Sequence, residues 1–243
     1  MPWFGEEAVD PEKEDEEKGA AEQGADPQDG QQSAASYPKI EQKGEVIDYG
    51  NVIAVGDAAY ELYSYVEGTA EKYAQIVNRT ADNLKGKTAV YDLLIPLSSG
   101  ITLPDPLYGK ISSSGQKTAL DKISALMNDN VSVINPYDNL MKHRDEYIYF
   151  RTDHHWTADG AYYAYEDLCK AAGLEAIPRE KHKTDTFDGF LGSFYKDTNQ
   201  NEQLGANPDS IKVYYPVSED TSLVYTNTNG NSNSWKVIWD RCV

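Results

Sequence analysis

Short apolar segments alternate with helical patterns along the chain. The segments at 51–56, 88–95 and 131–134 contain apolar runs that are typical of buried strands. Amphipathic patterns at 69–84 and 116–127 lie between them and predict helices. Strands that are apolar on both faces are typical of parallel sheets covered by helices. The alternation therefore predicts an α/β fold built on a parallel sheet.

The first strand segment ends in Gly56-Asp57, and we expect a helix to follow it. Thr69 is the predicted N-cap of this helix. Its core-facing stripe is predicted to contain Tyr73, Ile76, Val77, Thr80 and Leu84. After Ile177 the pattern is less regular, and it predicts further strands at 211–215, 223–225 and 235–239.

Negative charge is concentrated at the start of the chain. The whole sequence carries a formal charge of −18, and residues 1–30 contain 11 acidic residues against two lysines. Such a composition cannot bury enough apolar surface to offset the entropy of ordering it. We therefore predict an acidic disordered linker at 1–46 and one domain at 47–243. The overall charge argues against nucleic acid or an anionic membrane surface as a partner.

Several other classes of protein are disfavoured by simple counts. No window approaches the roughly 18 apolar residues of a membrane span, so we expect no membrane span in this chain. Residues 1–30 show no basic start followed by an apolar stretch, and no signal peptide is predicted there. The two cysteines, Cys169 and Cys242, form no CxxC pair, which argues against a thiolate zinc site or a disulfide framework. We expect no cofactor.

The segment at 147–165 places polar residues between a strand and a helix. A strand-like run at 147–150 is followed by a polar loop at 151–156. Thr157 is a predicted N-cap, and the helix after it is expected to end near Gly173. Loops at the carboxyl ends of strands commonly carry ligand-binding and catalytic groups in α/β folds.

Asp153 and His155 lie two residues apart on this loop. A carboxylate at that spacing can accept one ring N–H of an imidazole and leave the other nitrogen free to act as a general base. Two other interpretations stay open. In the first, the sole role of His155 is to cap the following helix. In the second, Asp153, His154 and His155 form a metal cluster with His143 or His182, although adjacent histidines are expected to point in different directions.

The motif and its surroundings resemble a known family. The stretch Arg151-Thr-Asp-His-His-Trp-Thr-Ala-Asp-Gly-Ala-Tyr-Tyr-Ala-Tyr165 resembles the signature of the bacterial DHHW protein family, which is related to the SGNH-hydrolase-like alginate acetylation proteins. Further parts of the resemblance lie at 90–96, 135–140, 189–195 and 207–209, so that it covers roughly residues 50–215.

This resemblance implies a flavodoxin-like, three-layer SGNH-hydrolase-like sheet and an extracytoplasmic protein of the cell envelope. It also implies a Ser-His-Asp set that acts on O-acetyl esters of a surface polysaccharide, by transfer or by hydrolysis. By motif position, Asp153 orients the imidazole and His155 is the general base. His154 fills a variable position and receives no role.

The nucleophilic serine of such a set is not evident in the sequence. In the related proteins it follows the Asp-x-His motif by about a hundred residues, so we expect a chain that is incomplete at its C-terminal end, with the serine beyond it. Ala58 stands where a Gly-Asp-Ser turn would place a serine. Ser193, after Gly192, is the best internal candidate, although a surface-loop serine satisfied by water is favoured there. The competing hypotheses are a non-catalytic glycan-binding or scaffold protein of the same fold and an inactive gene fragment.

Overall fold

The computed structural model describes residues 37–217 and 222–236. Strands and helices are both present in these ranges, in agreement with the predicted α/β class. The strands are β1 (Val46–Asp48), β2 (Val52–Val55), β3 (Ala58–Glu61), β4 (Val90–Leu93), β5 (Val131–Ile134), β6 (Thr184–Phe190), β7 (Asp209–Tyr214), β8 (Ser222–Thr226) and β9 (Ser232–Lys236). The helices are α1 (Glu67–Leu84), α2 (Ser98–Ile101), α3 (Gln116–Ala125), α4 (Tyr137–Lys142), α5 (Ala158–Ala172), α6 (Ser193–Asp197) and α7 (Glu202–Ala206).

The first sheet is antiparallel, with β2 between β1 and β3. All four residues of β2 are buried, which confirms the first predicted strand. Strand β3 was not predicted, because Gly56 and Asp57 form a two-residue turn that leads straight into it. The helix expected after the first strand, reaching about Leu84, is confirmed as α1, which follows β3. Gly56 has φ +62°, which suits the first position of such a hairpin turn.

The parallel pairing involves β4 and β5, which run side by side from Val90↔Val131 to Leu93↔Ile134. This confirms two of the predicted strands. Within the described ranges, the pairings in the other sheets are antiparallel. The described ranges therefore contain one parallel and three antiparallel small sheets, and the wider three-layer sheet stays a prediction.

Helix α1 buries a different face from the one predicted. Its buried residues are Ala70, Ala74 and Ala81. By contrast, Tyr73 and Ile76 are 40% and 57% exposed. Alanines at helical spacing let the helix approach the sheet closely. The apolar pattern did not predict this face, because the alanine side chains are small. The helix also begins after Val66, before the predicted cap at Thr69.

The largest buried cluster joins residues of α2, α3, α4 and α5. It contains Leu94, Ile101, Leu120, Tyr137, Leu140, Met141, Ile148, Tyr149 and Tyr163. Ile148 and Tyr149 bring the segment that precedes the polar loop into this core. The strand predicted at 147–150 is reduced to an isolated bridge between Tyr149 and Trp156, because the chain turns back on itself between them.

Residues 37–46, which belong to the predicted linker, lie against the domain. Ile40 and Asp105 exchange hydrogen bonds through the Ile40 N–H (3.0 Å) and the Ile40 carbonyl (2.9 Å). The buried Arg144 donates to the same Asp105 carboxylate at 2.7 Å. Contacts with the domain therefore begin before residue 47, while residues 1–36 of the predicted linker lie outside the described residues.

The C-terminal part of the described chain contains two antiparallel strand pairs. Strand β6, which was not predicted, pairs with β7, and β8 pairs with β9. Strands β7 and β8 confirm two predictions, whereas the strand predicted at 235–239 lies largely outside the described residues. No helix in the described ranges is long and apolar enough to cross a membrane.

Candidate active site

The polar loop at 151–156 is held at its base by α5. Thr157 caps this helix, as predicted, because its hydroxyl accepts the Gly160 N–H. Thr157 also donates its hydroxyl to the Tyr147 carbonyl at 2.8 Å and its N–H to the Ile148 carbonyl at 2.9 Å. A Cβ on Gly160 would lie 2.2 Å from the Ile148 carbonyl oxygen, so this close approach requires glycine. Gly173 ends the helix in the left-handed conformation, also as predicted.

Asp153 and His155 are brought together by the loop. The Nδ1 atom of His155 lies 2.6 Å from Asp153 Oδ1, and the His155 N–H donates to the same oxygen at 3.0 Å. The Asp153 side chain is 10% exposed, whereas that of His155 is 65% exposed. A carboxylate on Nδ1 fixes the tautomer in which the unprotonated nitrogen is Nε2. The exposed imidazole can therefore accept a proton from a bound molecule.

Hydrogen bonds keep Asp153 ionised. Burial raises the pKa of its carboxyl group, but the N–H groups of Ser193 and His155 and the imidazole of His155 hold that pKa below its ordinary value. The carboxylate is therefore charged over the neutral pH range. A charged partner stabilises the imidazolium that forms when His155 takes a proton.

Asp209 holds the loop from the opposite side. This residue is fully buried at the start of β7. Its Oδ2 atom accepts the Thr152 N–H at 2.8 Å and the Thr152 hydroxyl at 2.6 Å. Its Oδ1 atom accepts the Tyr147 hydroxyl, the Arg151 N–H (3.1 Å) and the Arg151 guanidinium (3.2 Å). One carboxylate thus fixes both residues that precede Asp153.

The start of α6 is clamped onto the same loop. The Gly192 N–H donates to the Thr152 hydroxyl and the Ser193 N–H donates to Asp153 Oδ2, both at 3.0 Å. A Cβ on Gly192 would lie 2.3 Å from Asp153 Cβ. Only glycine therefore allows the two loops to approach this closely.

His154 contacts Ser193 rather than Asp153. Its Nδ1 atom lies 2.8 Å from Ser193 Oγ and 3.9 Å from Asp153 Oδ1. Because the Ser193 hydroxyl bonds to His154, its interpretation as a surface-loop serine satisfied by water is wrong. His154, which received no role from the sequence, and Ser193 form a second polar pair beside Asp153 and His155.

The two adjacent histidines do not point in different directions. Their ring centroids are 3.9 Å apart, and ligand atoms of Asp153, His154 and His155 all lie within 4.8 Å of one another. The other two histidines of the suggested metal cluster are occupied elsewhere. His143 stacks on Tyr163, and His182 donates to the Tyr215 carbonyl.

The tyrosines after the motif differ in their surroundings. Tyr163 is buried and packs in the core. The Tyr165 hydroxyl accepts the Ile177 N–H at 3.1 Å. The Arg179 guanidinium lies 5.0 Å from the centre of the Tyr162 ring. Each of these three side chains is therefore held by contacts within the domain.

A cleft of about 490 Å³ opens beside His154. We call it the His154 cleft, and its polar lining consists of Tyr49, Asn51, Glu61, His154, Ser193 and Asp197. Its size is within the range of small-molecule sites. This cleft could not be predicted from the sequence, because β2 and β3 meet α6 there across a long stretch of chain.

The DHHW family model matches residues 29–242. This chain belongs to the DHHW protein family. The family's four-letter motif is Asp153-His154-His155-Trp156, and its first three residues are those gathered in the candidate site. The expected resemblance is thus confirmed. A comparison with curated proteins found no match.

Solved structures resemble this DHHW protein. A DHHW family protein from Eubacterium siraeum has a TM-score of 0.69 and 27% identity, over 75% of this chain and 60% of that one. PatB1 from Bacillus cereus has a TM-score of 0.56 and 17% identity, over 78% of this chain and 65% of PatB1. PatB1 with a sulfonyl adduct has a TM-score of 0.60 and 14% identity, over 80% of this chain and 65% of PatB1. The PatB1 likeness indicates a shared fold. This chain spans less than two thirds of the length of these structures.

Proposed function

We propose that this DHHW protein acts outside the cytoplasm on O-acetyl esters of a surface glycan. It transfers the acetyl group to an acceptor or hydrolyses the ester. The observation that carries the proposal is the hydrogen bond of 2.6 Å between His155 Nδ1 and the largely buried Asp153 carboxylate. This arrangement supplies a general base in one tautomer with an anion behind it.

In the proposed reaction, His155 accepts the proton of a hydroxyl nucleophile through Nε2. The oxygen of that hydroxyl then bonds to the carbonyl carbon of the acetyl ester. His155 next gives the proton to the departing sugar oxygen as the ester bond breaks. Asp153 stays ionised throughout, since its lowered pKa keeps it charged at neutral pH. The related acetylation proteins use a serine nucleophile, and the residues assigned here are the acid-base pair.

The proposal is tested on the full-length protein, by the hydrolysis of 4-nitrophenyl acetate and by acetyl transfer to a glycan followed by mass spectrometry. His155→Ala is expected to reduce turnover by at least about 100-fold, the lower end of the range for lost general-base catalysis. His182→Ala is the matched control, because His182 lies outside the loop and bonds to the Tyr215 carbonyl. Equal turnover in wild type and His155→Ala would contradict the proposal.

A sulfonyl fluoride provides a second readout, chosen because one PatB1 structure carries a sulfonyl adduct. We expect labelling that depends on His155, and digestion of the labelled protein identifies the nucleophile. Glycan binding without turnover and without labelling would instead support the non-catalytic glycan-binding hypothesis.

A further inference from the structure

We propose that the His154 cleft binds a pyranose unit that carries hydroxyl or amino groups and no acidic group, and that Glu61 and Asp197 exclude uronic acids from it. This inference names the substrate class of the candidate active site and so rests on the proposed function. Three observations carry it: the position of the cleft, its fixed aromatic wall and the sign of its charges.

The position of the cleft connects it to the acid-base pair. His154 and Ser193 line it, and the His154 ring centroid is 3.9 Å from that of His155. The Ser193 N–H bonds to the same Asp153 carboxylate that holds His155. A sugar in the cleft therefore places its substituents next to the exposed imidazole.

Tyr49 provides a wall that is already ordered. Its ring packs against the buried cluster that contains Val52 and Phe194. Its hydroxyl accepts the Asn201 side-chain amide at 3.2 Å. A half-buried aromatic ring held at both ends offers an apolar face against which a pyranose can pack at little entropic cost.

The charges of the cleft are of one sign. Glu61 and Asp197 line it, and its described lining contains no lysine or arginine. Ionised carboxylates only accept hydrogen bonds, so they pair with hydroxyl, amide or ammonium donors of a sugar. A sugar carboxylate brings no donor and adds repulsion between like charges.

Basic side chains line other clefts of the domain. Arg179 and Lys212 line a cleft of about 480 Å³ beside α5. Lys39, Lys43 and Arg151 line another of about 390 Å³. The absence of basic residues from the lining of the His154 cleft is thus a local property of that site.

The test uses four β-1,4-linked trimers with the gluco configuration: cellotriose, chitotriose, its de-N-acetylated form and cellotriuronic acid. None carries an O-acetyl ester, so calorimetry measures binding without turnover. We expect the first three to bind at least about tenfold more tightly than cellotriuronic acid at low salt, with a smaller difference at high salt. Equal or tighter binding of cellotriuronic acid, or no binding of any trimer, would overturn the inference.

Two pairs of substitutions distinguish the effect of the cleft carboxylates from the effect of the overall negative charge of the protein. Glu61→Gln with Asp197→Asn is expected to bring the affinity for cellotriuronic acid to within about threefold of that for cellotriose. The control pair Glu71→Gln and Asp129→Asn removes the same charge at exposed positions and is expected to preserve the selectivity. If both pairs relax the selectivity equally, the cleft does not cause it.

The aromatic wall is tested with a further variant, and the proposed function is tested with an acetate ester that contains no sugar. Tyr49→Leu is expected to weaken all of the trimers that bind to a similar extent, and unchanged affinities would contradict the role of the aromatic wall. Turnover of 4-nitrophenyl acetate tests the proposed function separately. His155-dependent turnover without trimer selectivity overturns this inference alone, whereas selectivity without turnover overturns the proposed function alone.

Discussion

The Asp209 carboxylate accepts both the N–H and the hydroxyl of Thr152, at 2.8 and 2.6 Å. Thr152 in turn accepts the Gly192 N–H, and the next residue along the chain is Asp153. Asp209 therefore acts through Thr152 on the geometry of the acid-base pair, and it is a positioning residue.

Asp209→Asn is predicted to lower both stability and turnover. An amide presents donors to groups that already donate, so some of the donors around Asp209 lose their acceptor inside the protein. Loss of a buried, multiply bonded carboxylate costs about 3 kcal/mol of unfolding free energy. Urea unfolding measures the stability, and 4-nitrophenyl acetate measures kcat.

The control for Asp209→Asn is Asp188→Asn in the neighbouring strand. Asp188 accepts the Ser210 hydroxyl at 2.6 Å at an exposed position between the two strands. This change is expected to cost less than about 1 kcal/mol. If the two variants were equally stable and equally active, Asp209 would have no positioning role.

Gly192→Ala is predicted to displace the start of α6 from the polar loop. The added methyl would lie 2.3 Å from Asp153 Cβ and 2.5 Å from Asp153 Oδ2. We expect a loss of about 1–3 kcal/mol in stability, typical of overpacking, and a fall in kcat because Asp153 moves. Thermal unfolding and steady-state kinetics measure the two effects.

Gly68→Ala is the matched control for that substitution. A Cβ at Gly68 has no neighbour within 4 Å, and the residue lies in α1. Alanine favours a helix over glycine, so this variant is expected to be slightly more stable and fully active. If Gly192→Ala were also fully active and no less stable than wild type, a methyl group next to Asp153 would cause no steric conflict.

Local signals allowed α5 and its loop to be predicted. Thr157 and Gly173 are the cap residues of that helix, and a cap depends on only a few neighbouring residues. The Asp153–His155 contact is equally local, because the two residues are two positions apart. These features are encoded within one short segment.

Contacts between distant segments could not be predicted in this way. Asp209 and Thr152 are 57 positions apart, and Ser193 and His154 are 39 apart. The block at 207–209 belongs to the family resemblance, but the sequence does not show that the Asp209 carboxylate is buried. Tertiary packing also determines which face of α1 is buried: Ala74 is buried, whereas the larger Tyr73 is exposed.

Acid is predicted to destabilise the domain partly through Asp159. Burial raises the pKa of this carboxyl, but hydrogen bonds from Tyr214 and Arg179 and the charge of Lys212 hold it below its ordinary value. A carboxyl with a lowered pKa in the folded state stabilises the protein above its ordinary pKa, and this contribution is lost as pH falls towards the lowered value. Asp159→Asn should therefore reduce the stability at neutral pH and flatten its decline below about pH 4. Urea midpoints at a series of pH values measure this, with the exposed Asp129→Asn as control. A decline as steep in Asp159→Asn as in wild type would show that this ion-pair network does not contribute to acid unfolding.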